Sequence, residues 1–434
     1  MAWIAAWIWN PFLSLVYLEV GLLFLLLTRG LSWRRPWGLF RELGRGQPAG
    51  EGERVISHRR AFIAALATSI GVGNLAGVAT AIHLGGPGAL FWMWMTAITG
   101  NAFRMCSTYL AIQHGPSDPN SPLFATPMAY LDKFLPRSWK WLGSFLAGMI
   151  LVKGLVTANL IQSNSVAHAV VGEFGLPKML VALVLFGLVA VVVVGGLRSI
   201  LNFSVLLAPW MMGLYLGAGL WILLSDPART MGALGEVWRY AFQPYSAAGG
   251  LLGYGVMQAM QFGVSRGVFS HNSGMGVAPF LHGANRDHPA RGAMFAALVP
   301  MVDTLIVCSV TGLVVLSVGN WHEWTGAYLT VNAFQSALGD GGRGLVVVCL
   351  MLFAFTTMIN WAYFSERCYE YLGGRNIKGY RWFFAGVTFL GPFFPVAFIW
   401  SVGDILIGVI LIVHLLPLTM IVIKQLPELK KVLT

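Results

Sequence analysis

The residues that could do chemistry in this chain begin with a glycine-broken stretch. Gly71-Val72-Gly73-Asn74 interrupts an apolar run near its middle, with Ala67-Thr68-Ser69-Ile70 before it and Leu75-Ala76-Gly77 after it. Glycine leaves the backbone free to unwind, and an unwound turn in an apolar medium persists only where its amides and carbonyls find partners in protein or in a water-lined cavity. Amides at the start of a half-helix suit a carboxylate, whereas freed carbonyls suit a cation such as sodium. Close helix packing through small residues uses the same glycines and is the competing reading. A second glycine-rich stretch, from Gly250 to Pro279, contains Gly253, Gly255, Gly263, Gly267, Gly274 and Gly276.

Other polar residues sit in apolar surroundings. Thr356 and Thr357 follow Phe353-Ala354-Phe355, and adjacent hydroxyls can complete a sodium shell with backbone carbonyls, or simply bond back to their own helix. Asn159, Gln162 and Asn164 cluster within one turn and a half, where amides can hold a ligand or another helix. Asp303 is expensive to bury unless it is paired, hydrated or protonated. Lys153, near the middle of an apolar segment, costs about 2.5 to 3.5 kcal/mol on insertion scales and reads as a built-in cation or as a side chain reaching for an interface.

These groups need elements to position them, and composition says which kind. Of 434 residues, 57% are hydrophobic and 10% charged, too few charges to clothe a water-soluble chain. A helix crosses a hydrocarbon core about 30 Å thick with about 20 apolar residues. Apolar runs of that kind predict spans near 11–28, 59–83, 87–113, 140–166, 178–196, 199–224, 250–279, 290–318, 343–370, 381–399 and 402–424, eleven in all. The loop from Arg29 to Arg60 is rich in arginine and is expected in the cytoplasm, which puts the N-terminus outside and the C-terminus inside. Alternation from there leaves only Lys178, Arg229, Arg239 and Arg343 outside. The organisation expected is an extra N-terminal helix (1–30), a basic cytoplasmic loop (31–58), a first five-helix repeat (59–225), an external loop (226–249), a second five-helix repeat (250–424) and a tail (425–434). If the two repeats are inverted copies, each opens on a glycine-interrupted helix, as in alternating-access transporters. The fold class expected is therefore all-α transmembrane with a five-plus-five core.

The net charge of +11 lies in membrane loops, which gives nucleic-acid binding no support and leaves membrane lipid as the surrounding partner. Cys106, Cys308, Cys349 and Cys368 stand singly and read as core thiols. His83, His271 and His282 raise an intramembrane enzyme as a rival, but neither an HExxH nor a GxSxG pattern accompanies them, so no catalytic residue, transition metal or organic cofactor is expected. No repeated filter sequence suggests a channel.

Gly71-Val72-Gly73-Asn74, Gly85-Gly86-Pro87-Gly88-Ala89 and Phe91-Trp92-Met93-Trp94 closely resemble the alanine or glycine:cation symporter family. Asn159 to Ser165, Arg266-Gly267-Val268-Phe269-Ser270, Gly274-Met275-Gly276, Asp303-Thr304, Cys308, Phe353 to Thr357, Trp361 and Glu366-Arg367-Cys368 extend the likeness over about 55–420. The resemblance implies a LeuT-type fold in a prokaryotic cytoplasmic membrane and sodium-coupled uptake of alanine or glycine. It places Gly71, Gly73, Asn74, Gln162, Phe262, Gly263 and Trp361 around the substrate, and Ala67, Ile70, Phe353, Thr356 and Thr357 around sodium. Three positions depart from the family pattern. Asn272, in Ser270-His271-Asn272-Ser273-Gly274, and Ser107 stand where the family has acidic residues, and Lys153 adds a positive charge. Lys153, Asn272 and Asp303 are thus candidates for gating or coupling. A sodium-independent exchanger or proton-coupled carrier, with Lys153 in place of the cation, stays open beside the symporter.

Overall fold

The computed structural model describes residues 2–34, 36–44, 55–243, 252–285 and 288–433. Gly250, the expected start of the second repeat, and Arg35, Arg45, Arg54 and Arg286 lie outside the described residues. Every regular element among them is helical. Five helices are long and apolar enough to cross a membrane: Arg137–Phe174, Gly196–Ser225, Pro289–Val318, Gly326–Tyr371 and Val396–Leu429. A sixth is formed if His58–Ser69 and Gly73–Gly85, bent by 52° at their junction, make one span.

In chain order, α1 (Ala2–Ile8) and α2 (Pro11–Leu27) precede a basic segment that carries α3 (Pro36–Gly44). The first span expected, at 11–28, is α2, and α1 is a separate short helix before it because Asn10 caps α2 and Pro11 occupies its first turn, where a missing amide costs nothing. Next come α4 (His58–Ser69) and α5 (Val78–Gly85), then α6 (Ala89–His114) and α7 (Met128–Phe134). The following span combines α8 (Trp141–Leu155) and α9 (Ile161–Phe174), joined by a π-helical turn at Val156–Leu160. The helices α10 (Lys178–Val194), α11 (Gly196–Ser225) and α12 (Pro227–Phe242) complete the first half of the chain. The second half runs through α13 (Leu252–His271), α14 (Pro279–His282), α15 (Pro289–Pro300), α16 (Ser309–Val318), α17 (Gly326–Tyr371), α18 (Ile377–Leu390) and α19 (Val396–Leu433).

Two boundaries differ from expectation for local reasons. The span expected at 381–399 is α18, which stops at Leu390 because Gly391-Pro392 opens a 3-10 turn and Pro395 has no amide with which to continue a helix. The stretch between the spans expected at 290–318 and 343–370 is largely a helical arm of α17, kinked at Gly339, whose φ of +67° suits glycine.

Packing separates a buried interior from an apolar exterior. α10 buries Val189 and Val193 yet exposes Leu183, Val184, Leu188 and Val191, so it is apolar all round, as a helix facing lipid must be. α6 is buried along most of its length and packs on α2, α13 and α15, while α17 packs on α4, α8, α9 and α11. The broken α4–α5 helix lies between these two groups.

Candidate functional site

At the first break, Ile70 leaves the helix with ψ of 98°, and the chain resumes as a π-helical turn over Gly73–Gly77. The freed groups have side-chain partners. Gly71 N donates to Asn74 Oδ1 at 2.9 Å, and Val72 N donates to Gln162 Oε1 at 3.1 Å. Gly71 N is therefore turned away from the Ala67 carbonyl, its usual partner four residues back. The Ile70 carbonyl accepts from Thr357 Oγ1 at 3.4 Å. The break is tight as well as bonded, since a Cβ on Gly71 would lie 2.6 Å from Thr357 Oγ1 and 3.1 Å from Gln162 Oε1. Glycine at 73 admits Phe269 in the same way, with a Cβ 2.8 Å from its ring.

Asp303 sets the orientation of Asn74. Its Oδ1 accepts from Asn74 Nδ2 at 2.8 Å, and its Oδ2 accepts from Ser270 Oγ at 2.6 Å and Thr304 Oγ1 at 2.9 Å. With the Asn74 amide nitrogen committed to a carboxylate, its oxygen faces Gly71. Asp303 sits in a third π-helical stretch, Met301–Cys308, where the widened turn carries the carboxylate inward to Asn74 of the first break and Ser270 of α13. Asp303 is thus three-fold hydrogen-bonded, which is how a buried carboxylate is tolerated.

The cation candidates divide. The Ala67 carbonyl in the last turn of α4 loses its usual partner Gly71 N to the break, and Thr357 faces the carbonyl of Ile70 just past it. Thr356 instead donates to Leu352 O at 3.0 Å and Phe353 O at 3.1 Å, and its hydroxyl lies 3.6 Å from Met211 Sδ of α11. Thr356 and the Phe353 carbonyl therefore satisfy one another.

Lys153 lies away from that group. Its ammonium donates to Asn272 Oδ1 at 3.0 Å and sits 3.7 Å above the Trp361 ring. A desolvated cation–π contact of about 2 kcal/mol and a charged hydrogen bond of about 1.5 to 3 kcal/mol together match the cost of a central lysine. The side chain does not need to reach an interface, and it contacts the expected substrate residue Trp361 rather than Ile70 or Thr357.

The second break falls at Asn272–Ala278, with positive φ at Asn272, Gly274 and Gly276. The glycines before it serve packing. A Cβ on Gly263 would meet Ala89 O at 2.4 Å and one on Gly267 would meet Thr96 Oγ1 at 2.2 Å, so both seat α13 against α6. Gly263, expected beside the substrate, thus turns its open side to α6. Its neighbour Phe262 lines a cavity of about 750 Å3, together with Thr80, His83, Ser165, His168, Arg266, Trp400 and Asp404. That vestibule is bordered by Arg266, paired to Asp404 through two bonds of 2.6 and 2.8 Å and stacked on Trp400. Gly71, Gly73, Asn74, Gln162 and Trp361 do not line it.

Several site residues carried no local signal. Arg104 donates to His271 O at 2.9 Å and Ala296 O at 3.0 Å. His414 Nδ1 donates to Gly274 O at 2.6 Å, and its Nε2 accepts from Tyr130 Oη at 2.6 Å. The pair Arg266–Asp404 was legible in principle as two opposite charges in separate apolar spans. Of the histidines considered for catalysis, His83 meets the Trp321 carbonyl and His271 meets Thr96 and the Ser273 amide, each a structural bond.

The model of the sodium:alanine symporter family matches residues 1–432. The sodium/alanine symporter AgcS of Methanococcus maripaludis is 36% identical over 430 residues, covering 96% of this chain and 93% of that protein. The probable sodium/glutamine symporter GlnT of Bacillus subtilis is 30% identical, covering 94% and 85%. Among solved structures, MhsT in complex with L-phenylalanine superposes with a TM-score of 0.64 at 14% identity, over 89% of this chain and 93% of that one, so the LeuT-type fold is shared. The chain belongs to the sodium:alanine symporter family and is a multi-pass membrane transporter, not an enzyme.

Proposed function

We propose that this protein is a sodium-coupled symporter of alanine or glycine, working by alternating access across a prokaryotic cytoplasmic membrane. The observation that carries the reading is the first break, where Gly71 N, Val72 N and Ile70 O are held by the uncharged side chains of Asn74, Gln162 and Thr357. Such bonds are exchangeable: a substrate carboxylate can take the amides, and sodium can take the Ile70 carbonyl with the Thr357 hydroxyl and the Ala67 carbonyl. AgcS is named for sodium and alanine, and GlnT for sodium and glutamine, so the family name leaves side-chain size to the site. The tight approach of Thr357 and Gln162 to Gly71, with buried Trp361 nearby on α17, favours the smallest side chains by excluded volume.

Eleven spans in a five-plus-five arrangement fit this mechanism, with the break between α4 and α5 opening one half and that between α13 and α14 opening the other. The arginine-rich segment before α4 favours a cytoplasmic C-terminus and an external N-terminus. The vestibule then faces outward, and Arg266–Asp404 closes above the site. The contacts of Lys153 weigh against its standing in for the cation, because its partners are Asn272 and Trp361.

The test is uptake of labelled alanine, glycine and glutamine into proteoliposomes, with a sodium gradient or with choline in its place. Sodium-dependent uptake of alanine or glycine, competed poorly by glutamine, is the expected result. Uptake unchanged in choline would refute the coupling, and preference for glutamine would refute the substrate assignment.

A further inference from the structure

One buried charge has no role in the exchangeable turn. Lys153 is 3% exposed and, among the described residues, has no carboxylate partner. Its two contacts belong to different elements. Asn272 is the first residue of the second break and holds φ of +54°, while Trp361 belongs to the long α17 helix. Behind Trp361 the contacts continue as an aromatic ladder. Trp361 meets Phe364 edge-on with centroids 5.2 Å apart, and Phe364 stacks on Phe280 of α14 at 5.1 Å. Beside this ladder lies a cavity of about 10 Å3, lined by Thr68, Ser69, Arg104, Asn272 and Phe364 among others. On the side of the site away from the vestibule, α4 packs on α14 and α17, Phe280 of α14 stacks on Phe364 of α17, and α8 packs on α17.

We propose that Lys153 is the latch of this side: its ammonium ties α8 to the Asn272 hinge and to the Trp361–Phe364–Phe280 ladder, and these bonds break before the site opens to the face opposite the vestibule. The inference rests on the alternating-access reading above. A fixed cation suits the task because both partners are neutral, so each bond is strong enough to hold and can still be released without separating an ion pair in the bilayer. Asn272 suits it too, since asparagine tolerates the left-handed conformation of the hinge while presenting an acceptor.

The experiment places Thr68→Cys in the full-length protein in proteoliposomes and follows modification of that residue by a membrane-impermeant thiol reagent, applied from each face and read by peptide mass spectrometry. Lys153→Met is expected to raise labelling from the face opposite the vestibule by about tenfold or more, the shift set by losing one cation–π contact and one charged hydrogen bond. Lys153→Arg is expected to stay near the parent rate. Asn272→Gly, which keeps the hinge conformation and removes the acceptor, is expected to fall between them, and it decides the question if Lys153→Met does not fold. Parent-like labelling in folded Lys153→Met, or in Asn272→Gly when the methionine variant is lost, would overturn the proposal. The same samples, heated with alanine or glycine and sodium, test the substrate reading separately: absence of stabilisation there fails that reading and leaves the labelling result standing.

Discussion

The two broken helices solve the same problem with different partners. At the first, between α4 and α5, amides and a carbonyl released from the helix are held by Asn74, Gln162 and Thr357, all uncharged. At the second, between α13 and α14, the released carbonyls of His271, Gly274 and Ser270 are held by Arg104, by His414 locked against Tyr130, and by Asn272. A neutral amide or hydroxyl surrenders a hydrogen bond to an incoming ligand at little cost, whereas pulling a carbonyl off a buried guanidinium strands a charge. The first break is built to exchange its backbone partners, whereas the second keeps its backbone carbonyls paired and offers only the Asn272 side chain, bound to Lys153, for release. Helix α2 strengthens the contrast, for Tyr17 packs within 3.3 Å of where a Gly274 Cβ would stand.

The largest effect that could break this comparison is at the second site. Arg104→Met leaves the His271 and Ala296 carbonyls unpaired and should lower unfolding stability by about 2 to 6 kcal/mol, read by thermal or denaturant unfolding in detergent. A loss under about 1 kcal/mol would mean the second break is as replaceable as the first. At the first break the damage should be functional. Gly71→Ala drives a methyl against Thr357 and Gln162, and kcat/KM for alanine uptake should fall about 100-fold, equivalent to about 2.7 kcal/mol of transition-state stabilisation. Its unfolding stability should change less than that of Arg104→Met. Gln162→Leu removes one acceptor from Val72 N and should weaken alanine binding about tenfold by calorimetry, with glycine and alanine affected alike. The smallest effect sharpens the picture at the edge of the first break. Thr330 of the α17 arm donates to Leu75 O at 3.1 Å, and Thr330→Val should cost about 0.5 to 1.5 kcal/mol of stability while leaving affinity within about threefold.

How far the sequence revealed this arrangement depended on whether the signal was local. Gly71-Val72-Gly73-Asn74 announces a break because glycines and an amide fall together, and Asp303 announces a partner because a carboxylate in an apolar run must have one. The glycines from Gly250 to Pro279 were harder to sort. Gly263 and Gly267 serve helix contact while Gly274 and Gly276 serve the turn, and only the facing helix distinguishes the two uses. Arg104 and His414 act on backbone carbonyls 167 and 140 positions away, a pairing that no residue pattern near either one encodes. Lys153 stood out at once as a misplaced charge, yet its partners Asn272 and Trp361 became evident only when the hinge and α17 were placed beside α8. Thr356 and Thr357 look equivalent in sequence, but a helical turn of about 100° per residue sends one hydroxyl to α11 and the other to the break.

The most direct test is peptide-resolved hydrogen exchange of the purified transporter, with and without alanine and sodium. The account predicts ligand-dependent protection over Ile70–Asn74 and no change over Asn272–Ala278. Equal protection of both segments, or none over Ile70–Asn74 while alanine is bound, would contradict it.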